Sequence, residues 1–305
     1  MRRALSLALV LAASDASAQA PPRFASEVSL VELDVAVTRD GRPASGLTAA
    51  DFELRDSSVP QTVELVSRER ARVQAILLLD TSQSVAGEKL QRLAAAARAF
   101  LAGLAPEDAT TLVAFSYRAR LLGEAGLPPA AAAGGLDRLA AAGPTALVDA
   151  VAAATALADP RRGRPVLLVF SDGDDRLSWL PERHVIDAAR QADVVIHAIG
   201  FTPPRAGAQD RMAALPNQRV RLAGSPDFLG QLTRATGGRL WYADAPEGLG
   251  AAFLSVLEEV RERYLLRYEP TGVPSGGWHP LEVRVRGRGL TVRCRPGYQA
   301  AAARP

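Results

Sequence analysis

Apolar and polar positions change their period twice along this chain. From 28 to 38 the residues Val28, Leu30, Val31, Leu33, Val35 and Val37 are separated mostly by polar ones, the period of a half-buried strand. Asp40-Gly41 supplies a turn, and residues 47–52 read as a turn or short helix. Residues 52–56 and 62–66 are two further short strands about a Ser-Ser-Val-Pro turn. At 72 the pattern changes. A run that is apolar on both faces, 76–79, stops at Asp80 and reads as a buried strand. Leu90, Leu93, Ala94, Ala97, Phe100, Leu101 and Leu104 then fall on one helical face. Strands are expected at 110–115, 165–170, 193–199 and 239–242, with a short antiparallel edge strand at 119–122. Helices are expected at 128–141, 146–157 and 181–191, between Asp227 and Gly237, and over 249–260. Residues 201–224 have no period and read as a surface excursion. After 263 alternation returns, at 264–268, 281–286 and 290–295.

Strands alternating with helices imply a mostly parallel sheet covered on both faces, an α/β class. The β segments at 27–71 and 263–298 are each too small for a core of their own. They are therefore expected to pair into one small β-sandwich, with the α/β part, 72–262, inserted between them. Residues 299–305 are left as a tail.

The start of the chain modifies this picture. Arg2 and Arg3, the apolar run 4–13 and Ala16-Ser17-Ala18 have the layout of a secretory signal peptide over 1–18, cleaved after Ala18, with a linker at 19–26. The apolar run is too short to span a bilayer. The expected location is therefore the periplasm or beyond. Cys294 is the one cysteine of 305 residues, so an exported chain has no internal disulfide and relies on its core. Cys294 itself reads as a half-buried strand residue, with an intermolecular bridge as the alternative. The net charge of +3 is small and the arginines are dispersed, which does not make a nucleic-acid footprint.

Asp80 ends a buried strand and is followed at alternate positions by Ser82 and Ser84. In open α/β sheets that end of a strand is where ligands bind. One carboxylate with two hydroxyls suits a hard divalent cation. Taken singly, each residue has a plainer reading: Asp80 as a helix cap, the serines as turn hydroxyls, Thr145 as a helix cap, Asp172-Gly173 as a turn.

The spacing Asp80-x-Ser82-x-Ser84 resembles the metal-ion-dependent adhesion site of von Willebrand factor A domains. Thr145, ahead of a helix, and Asp172, after the strand at 165–170, stand in the order of that family's remaining positions. The resemblance covers about 72–262 and implies a doubly wound, six-stranded sheet with one antiparallel edge strand. It implies a metal set of Asp80, Ser82, Ser84, Thr145 and Asp172, holding Mg2+, with Mn2+ or Ca2+ as alternatives. Held mainly by neutral oxygens, the ion keeps an open position for an Asp or Glu of a protein partner. Pro144 stands where the family often has glycine, and stiffens the approach to Thr145. The whole layout also resembles the secreted von Willebrand factor A-related family of acidobacterial type, through residues 31–35, 46–52, 264–266 and 295–298.

The expected function is thus an exported, non-enzymatic binding module. A phosphotransferase or hydrolase using Asp80 is the enzyme alternative, and a scaffold whose ion is purely structural is a third. Asp149 reads as a neighbour of the site or a solvated helix residue. Asp174 and Asp175 read as rim residues or solvated ones. His184, His197 and His279, placed in a helix, a strand and a turn, have no ligand spacing. There is no Gly-x-Ser-x-Gly elbow and no phosphate-binding glycine loop. The alternating arginines of 284–295 read as one solvated strand face.

Overall fold

The computed structural model describes residues 30–67, 72–171, 175–200, 227–243 and 248–300, without the side chains of 65–67. The signal and linker segments, the excursion 201–224, Asp172 and Asp174 lie outside the described residues.

The strands are β1 (Val31–Arg39), β2 (Arg42–Pro43), β3 (Phe52–Asp56), β4 (Val59–Gln61), β5 (Leu65–Ser67), β6 (Val73–Asp80), β7 (Ala109–Phe115), β8 (Ala119–Leu121), β9 (Arg164–Phe170), β10 (Val195–Gly200), β11 (Leu240–Tyr242), β12 (Tyr264–Tyr268), β13 (Gly277–Val285), β14 (Leu290–Arg293) and β15 (Gly297–Ala300). The helices are α1 (Glu88–Gly103), α2 (Pro129–Ala132), α3 (Leu147–Thr155), α4 (Glu182–Gln191), α5 (Phe228–Thr236) and α6 (Leu249–Arg261).

β6 lies at the centre of a six-stranded sheet of order β11-β10-β9-β6-β7-β8. Its pairs are parallel except for β8, which runs antiparallel to β7. Every residue of β6 is buried, because helices cover both faces. Val73, Ala75, Leu77 and Leu79 pack toward α1 and α6, while Ile76 and Leu78 pack toward α3, α4 and α5. The doubly wound α/β fold is therefore as its apolar runs imply.

The chain's two ends build the other layer. β1 pairs with β12 through its first half and with β14 through its second. β13 likewise pairs with β15 and then with β3. The resulting antiparallel sheets, β14-β1-β12-β5 with β2 attached and β15-β13-β3-β4, enclose Leu33, Val35, Leu54, Tyr264, Leu266 and Tyr268. This is the expected sandwich of N- and C-terminal segments.

A buried ionic hub joins the two layers. Arg263, fully buried, bonds the Asp34 carboxylate and the carbonyls of Asp34 and Gly237, and lies 3.5 Å from Glu259. Arg164 reaches Asp34 and the Val260 carbonyl, and Arg293 closes on Glu259 at 2.5 Å.

Several local readings are corrected. The helix expected at 128–141 is one short turn, α2, followed by a 3-10 segment from Ala133 to Arg138, since Gly134 and Gly135 do not support a long helix. Gly135 is needed for packing: an added Cβ there would lie 2.7 Å from the Leu122 carbonyl oxygen. The turn expected over Ser57–Pro60 occupies Ser57 and Ser58 alone, both at positive φ, and β4 starts at Val59. His279 is in strand β13 rather than a turn, and Gln299 and Ala300 are in β15 rather than a tail.

Candidate functional site

Asp80 is fully buried at the carboxyl end of β6. One carboxylate oxygen accepts the Ser82 backbone N–H at 2.8 Å, which closes a tight loop directly after the strand. The other accepts the Ser171 hydroxyl at 2.8 Å, from the end of the neighbouring strand β9. Ser82 is buried and its Oγ lies 2.9 Å from the Ser84 Oγ, so two hydroxyl oxygens stand together beside the carboxylate. Ser84 is exposed, and its carbonyl accepts from Lys89 Nζ at 3.2 Å.

Thr145 is brought to this loop by backbone bonds. The Ala142 N–H donates to the Thr81 carbonyl at 2.8 Å, and the Gln83 N–H donates to the Gly143 carbonyl at 2.9 Å. Gly143, at φ 76°, makes the turn this approach requires. Pro144 is exposed and follows it without breaking the connection. Thr145 itself is buried, and its carbonyl accepts the N–H groups of Arg176 and Leu177. The three loops after β6, before α3 and after β9 are thus bonded to one another.

Thr145 is not the cap of α3. That helix has no side-chain cap at its own N-terminus. Its free N–H groups are taken from the third loop: Val148 donates to Asp175 at 3.3 Å and Asp149 to the Ser178 hydroxyl at 3.1 Å. Asp175, buried, also accepts from Leu177 and Ser178 at 3.2 Å. Asp149, half-buried, accepts the N–H groups of Trp179 and Leu180 and so anchors the loop. Asp175 likewise is a helix and loop cap, not a rim residue.

Of the five residues expected to hold a cation, the structure gathers Asp80, Ser82, Ser84 and the Thr145 loop at one end of the sheet. Asp172 lies outside the described residues, between Ser171, which bonds Asp80, and Asp175, which caps α3. Ser171 is the residue that sequence reasoning missed; the hydroxyl directly ahead of Asp172 was its only signal. Among the described residues no group of three or more His, Cys, Asp or Glu is placed to hold a metal. A hard cation therefore depends on the hydroxyl-rich set, and those residues fit it: oxygen donors only, around a buried carboxylate.

The histidines lie apart from the site. His197 is buried in β10 and accepts the Arg239 N–H at Nδ1, 3.2 Å away. Burial, then the charges of Arg263, Arg293, Arg164 and Arg239, lowers its pKa well below 6.5. His279 belongs to a closed polar cluster in the sandwich. Its Nδ1 lies 2.8 Å from Asp56, which also accepts from Tyr268 and Tyr298, each at 2.9 Å. Burial and the bond to Asp56 raise the Tyr298 pKa to about 12.

The sheet order, with a carboxylate–hydroxyl cluster at the carboxyl end of its central strand, is that of a doubly wound α/β domain. Residues 75–174 match the family model of the von Willebrand factor type A domain, and this part of the chain is a domain of that type. Among solved structures the chain is similar to proximal thread matrix protein 1 of the mussel byssus, at 16% identity and a TM-score of 0.51, over 67% of this chain and 49% of that one. It is also similar to a von Willebrand factor type A protein from Catenulispora acidiphila (14% identity, TM-score 0.49, 88% of this chain and 73% of that one). An aerotolerance-related membrane protein from Bacteroides fragilis aligns at 15% identity with a TM-score of 0.48, over 62% of this chain and 99% of that one. No curated protein matches the chain.

Proposed function

We propose that this chain is an exported, non-enzymatic module. It binds a divalent cation, magnesium or else manganese or calcium, through Asp80, Ser82, Ser84, Thr145 and Asp172. Through that ion it takes an Asp or Glu of a protein partner. The observation that carries the reading is the Ser82–Ser84 hydroxyl pair at 2.9 Å beside the buried Asp80 carboxylate, with the Thr145 loop bonded to the same turn. When bound, the ion supplies a directional, charge-assisted bond to an incoming carboxylate. Asp80 holds the loop in shape through Ser82 and Ser171, and the serines supply neutral oxygens that leave the ion's charge for the partner.

The burial of Asp80 also argues against the phosphotransferase reading. A nucleophilic carboxylate must itself bond the phosphorus, whereas a carboxylate whose oxygens accept from Ser82 and Ser171 can still act on a cation through water. Export rests on the charged, apolar and small-residue pattern of 1–18. No described helix is long and apolar enough to cross a membrane.

The test is calorimetric titration of magnesium into the chelator-stripped chain, beside Asp80→Ala and Asp172→Ala. Saturable binding is expected for the parent, weakened more than about tenfold in both variants, that is by more than about 1.4 kcal/mol. A parent chain that takes up no ion would overturn the reading. Equal binding by all three would move the ion elsewhere.

A further inference from the structure

Lys89 is the one lysine of a chain whose 36 lysine and arginine residues are otherwise all arginine. It lies in the first turn of α1, half-buried. Its Nζ donates to the Ser84 carbonyl at 3.2 Å. A compact ammonium is thus held against the same turn whose Ser82 and Ser84 hydroxyls, 2.9 Å apart, belong to the candidate cation site.

The covalent geometry bounds how far that charge stands from an ion. Within one serine the carbonyl oxygen and Oγ are roughly 3–5 Å apart, and magnesium sits about 2.1 Å from a ligand oxygen. The ammonium therefore lies within roughly 10 Å of an ion bound at Ser84 Oγ. The start of α1 acts in the same sense, because a 16-residue helix carries the positive end of its dipole there. Glu88, the carboxylate next to Lys89 in sequence, accepts from Arg92 Nη2 at 2.7 Å, so its charge is shared with a second cation. A divalent ion entering this site is drawn by Asp80 and opposed by Lys89.

We propose that Lys89 sets the affinity of the cation site: its ammonium opposes the bound ion and so fixes the magnesium concentration at which the site fills. This rests on the metal-binding reading above and adds to it a residue that touches no ion. A unit charge about 8–10 Å from a divalent ion changes its affinity by roughly three- to tenfold at low salt, and by less than about twofold once the Debye length is well below that separation. A lysine that merely propped the Ser84 turn would act with the opposite sign, since losing it would weaken the ion.

The test is calorimetric titration of magnesium into the chelator-stripped full chain and its variants, at about 20 mM and about 0.5 M sodium chloride, with the thermal unfolding midpoint of each. Lys89→Gln removes the charge, and Lys89→Met removes charge and donor while keeping the aliphatic stem. Both are expected to bind magnesium about three- to tenfold tighter than the parent at low salt and within about twofold of it at high salt. Lys89→Arg keeps the charge and is expected to stay within about twofold of the parent at both. So is Arg98→Gln, an exposed site on the same helix about 13 Å further along its axis. Three results overturn the inference: neither neutral variant binding tighter than the parent at low salt; a gain that persists undiminished at high salt; or the same gain in Lys89→Arg. Uptake by the parent with no gain in the variants faults this inference alone, whereas no uptake by any of the chains faults the metal reading itself.

Discussion

Asp80 and Asp56 are both fully buried aspartates, each the last residue of its strand, and their surroundings differ in kind. Asp56 sits inside the sandwich and accepts from Ser57, Tyr268, Tyr298 and the ring of His279. The tyrosines and the histidine come from strands more than 200 residues away in sequence, and two rings help to close the cluster. Asp80 sits at the mouth of the parallel sheet, where its partners include a backbone N–H and a serine hydroxyl, with small hydroxyls next to it. The lesson is that burial of a carboxylate does not mark a site. Bulky donors around Asp56 leave no space for a ligand, whereas short side chains on loops around Asp80 leave oxygens that a cation can share.

The largest effect is expected from setting these two aspartates against each other. Asp56→Ala leaves two tyrosine hydroxyls and an imidazole without their acceptor in a closed core, and is expected to cost about 3–5 kcal/mol of stability. Asp80→Ala, in chelator, takes the acceptor from small groups at the mouth of the sheet, among them the Ser82 N–H and the Ser171 hydroxyl, and is expected to cost less than half as much. Urea denaturation of both variants measures this. Equal losses would mean that Asp80 is as structural as Asp56.

A smaller effect separates the histidines by pH. His197 has a folded pKa held well below 6.5 by burial and by the arginines of the hub. It is neutral in the fold, so the unfolded chain binds the extra proton. Its contribution to stability is therefore fully present above the unfolded pKa, near 6.5, and is lost as pH falls below that value toward the folded pKa. The slope is up to about 1.4 kcal/mol per pH unit from this residue. Stability curves between pH 7.5 and 5 should be flatter in His197→Gln on the acid side; an unchanged slope would exclude His197 as the group responsible.

The smallest effect concerns Cys294, directly after β14. Burial pushes its thiol up to about 11, so little thiolate forms at pH 7. Labelling of the native chain by iodoacetamide should be many times slower than in urea. Rapid labelling, or a reducible dimer on a gel, would favour the intermolecular bridge instead.

How far the chain could be read depended on where each residue's partners lie. The strand β6 and its Asp80-x-Ser82-x-Ser84 turn were legible because burial on both faces and a short-range loop leave a local pattern. The same holds for α1, α5 and the antiparallel edge strand β8. The helix expected over 128–141 was misread because composition alone hid how Gly135 must fit under Leu122. Thr145 as a helix cap was misread because the real cap, Asp175, comes from another loop. Nothing near Asp149 in sequence announces that it holds Trp179.

By itself the sequence determined the doubly wound α/β part, the pairing of two β ends too small to stand alone, and four of the residues now found at the mouth of the sheet. These follow from periodicity and from contacts close in sequence. The tertiary structure alone decided that Ser171 completes the Asp80 cluster, that Asp149 and Asp175 are loop anchors, that His279 is enclosed with Asp56, and that Arg263 ties the two layers together. Each of those is a bond between residues distant along the chain, and such a bond exists only after the strands have found their order.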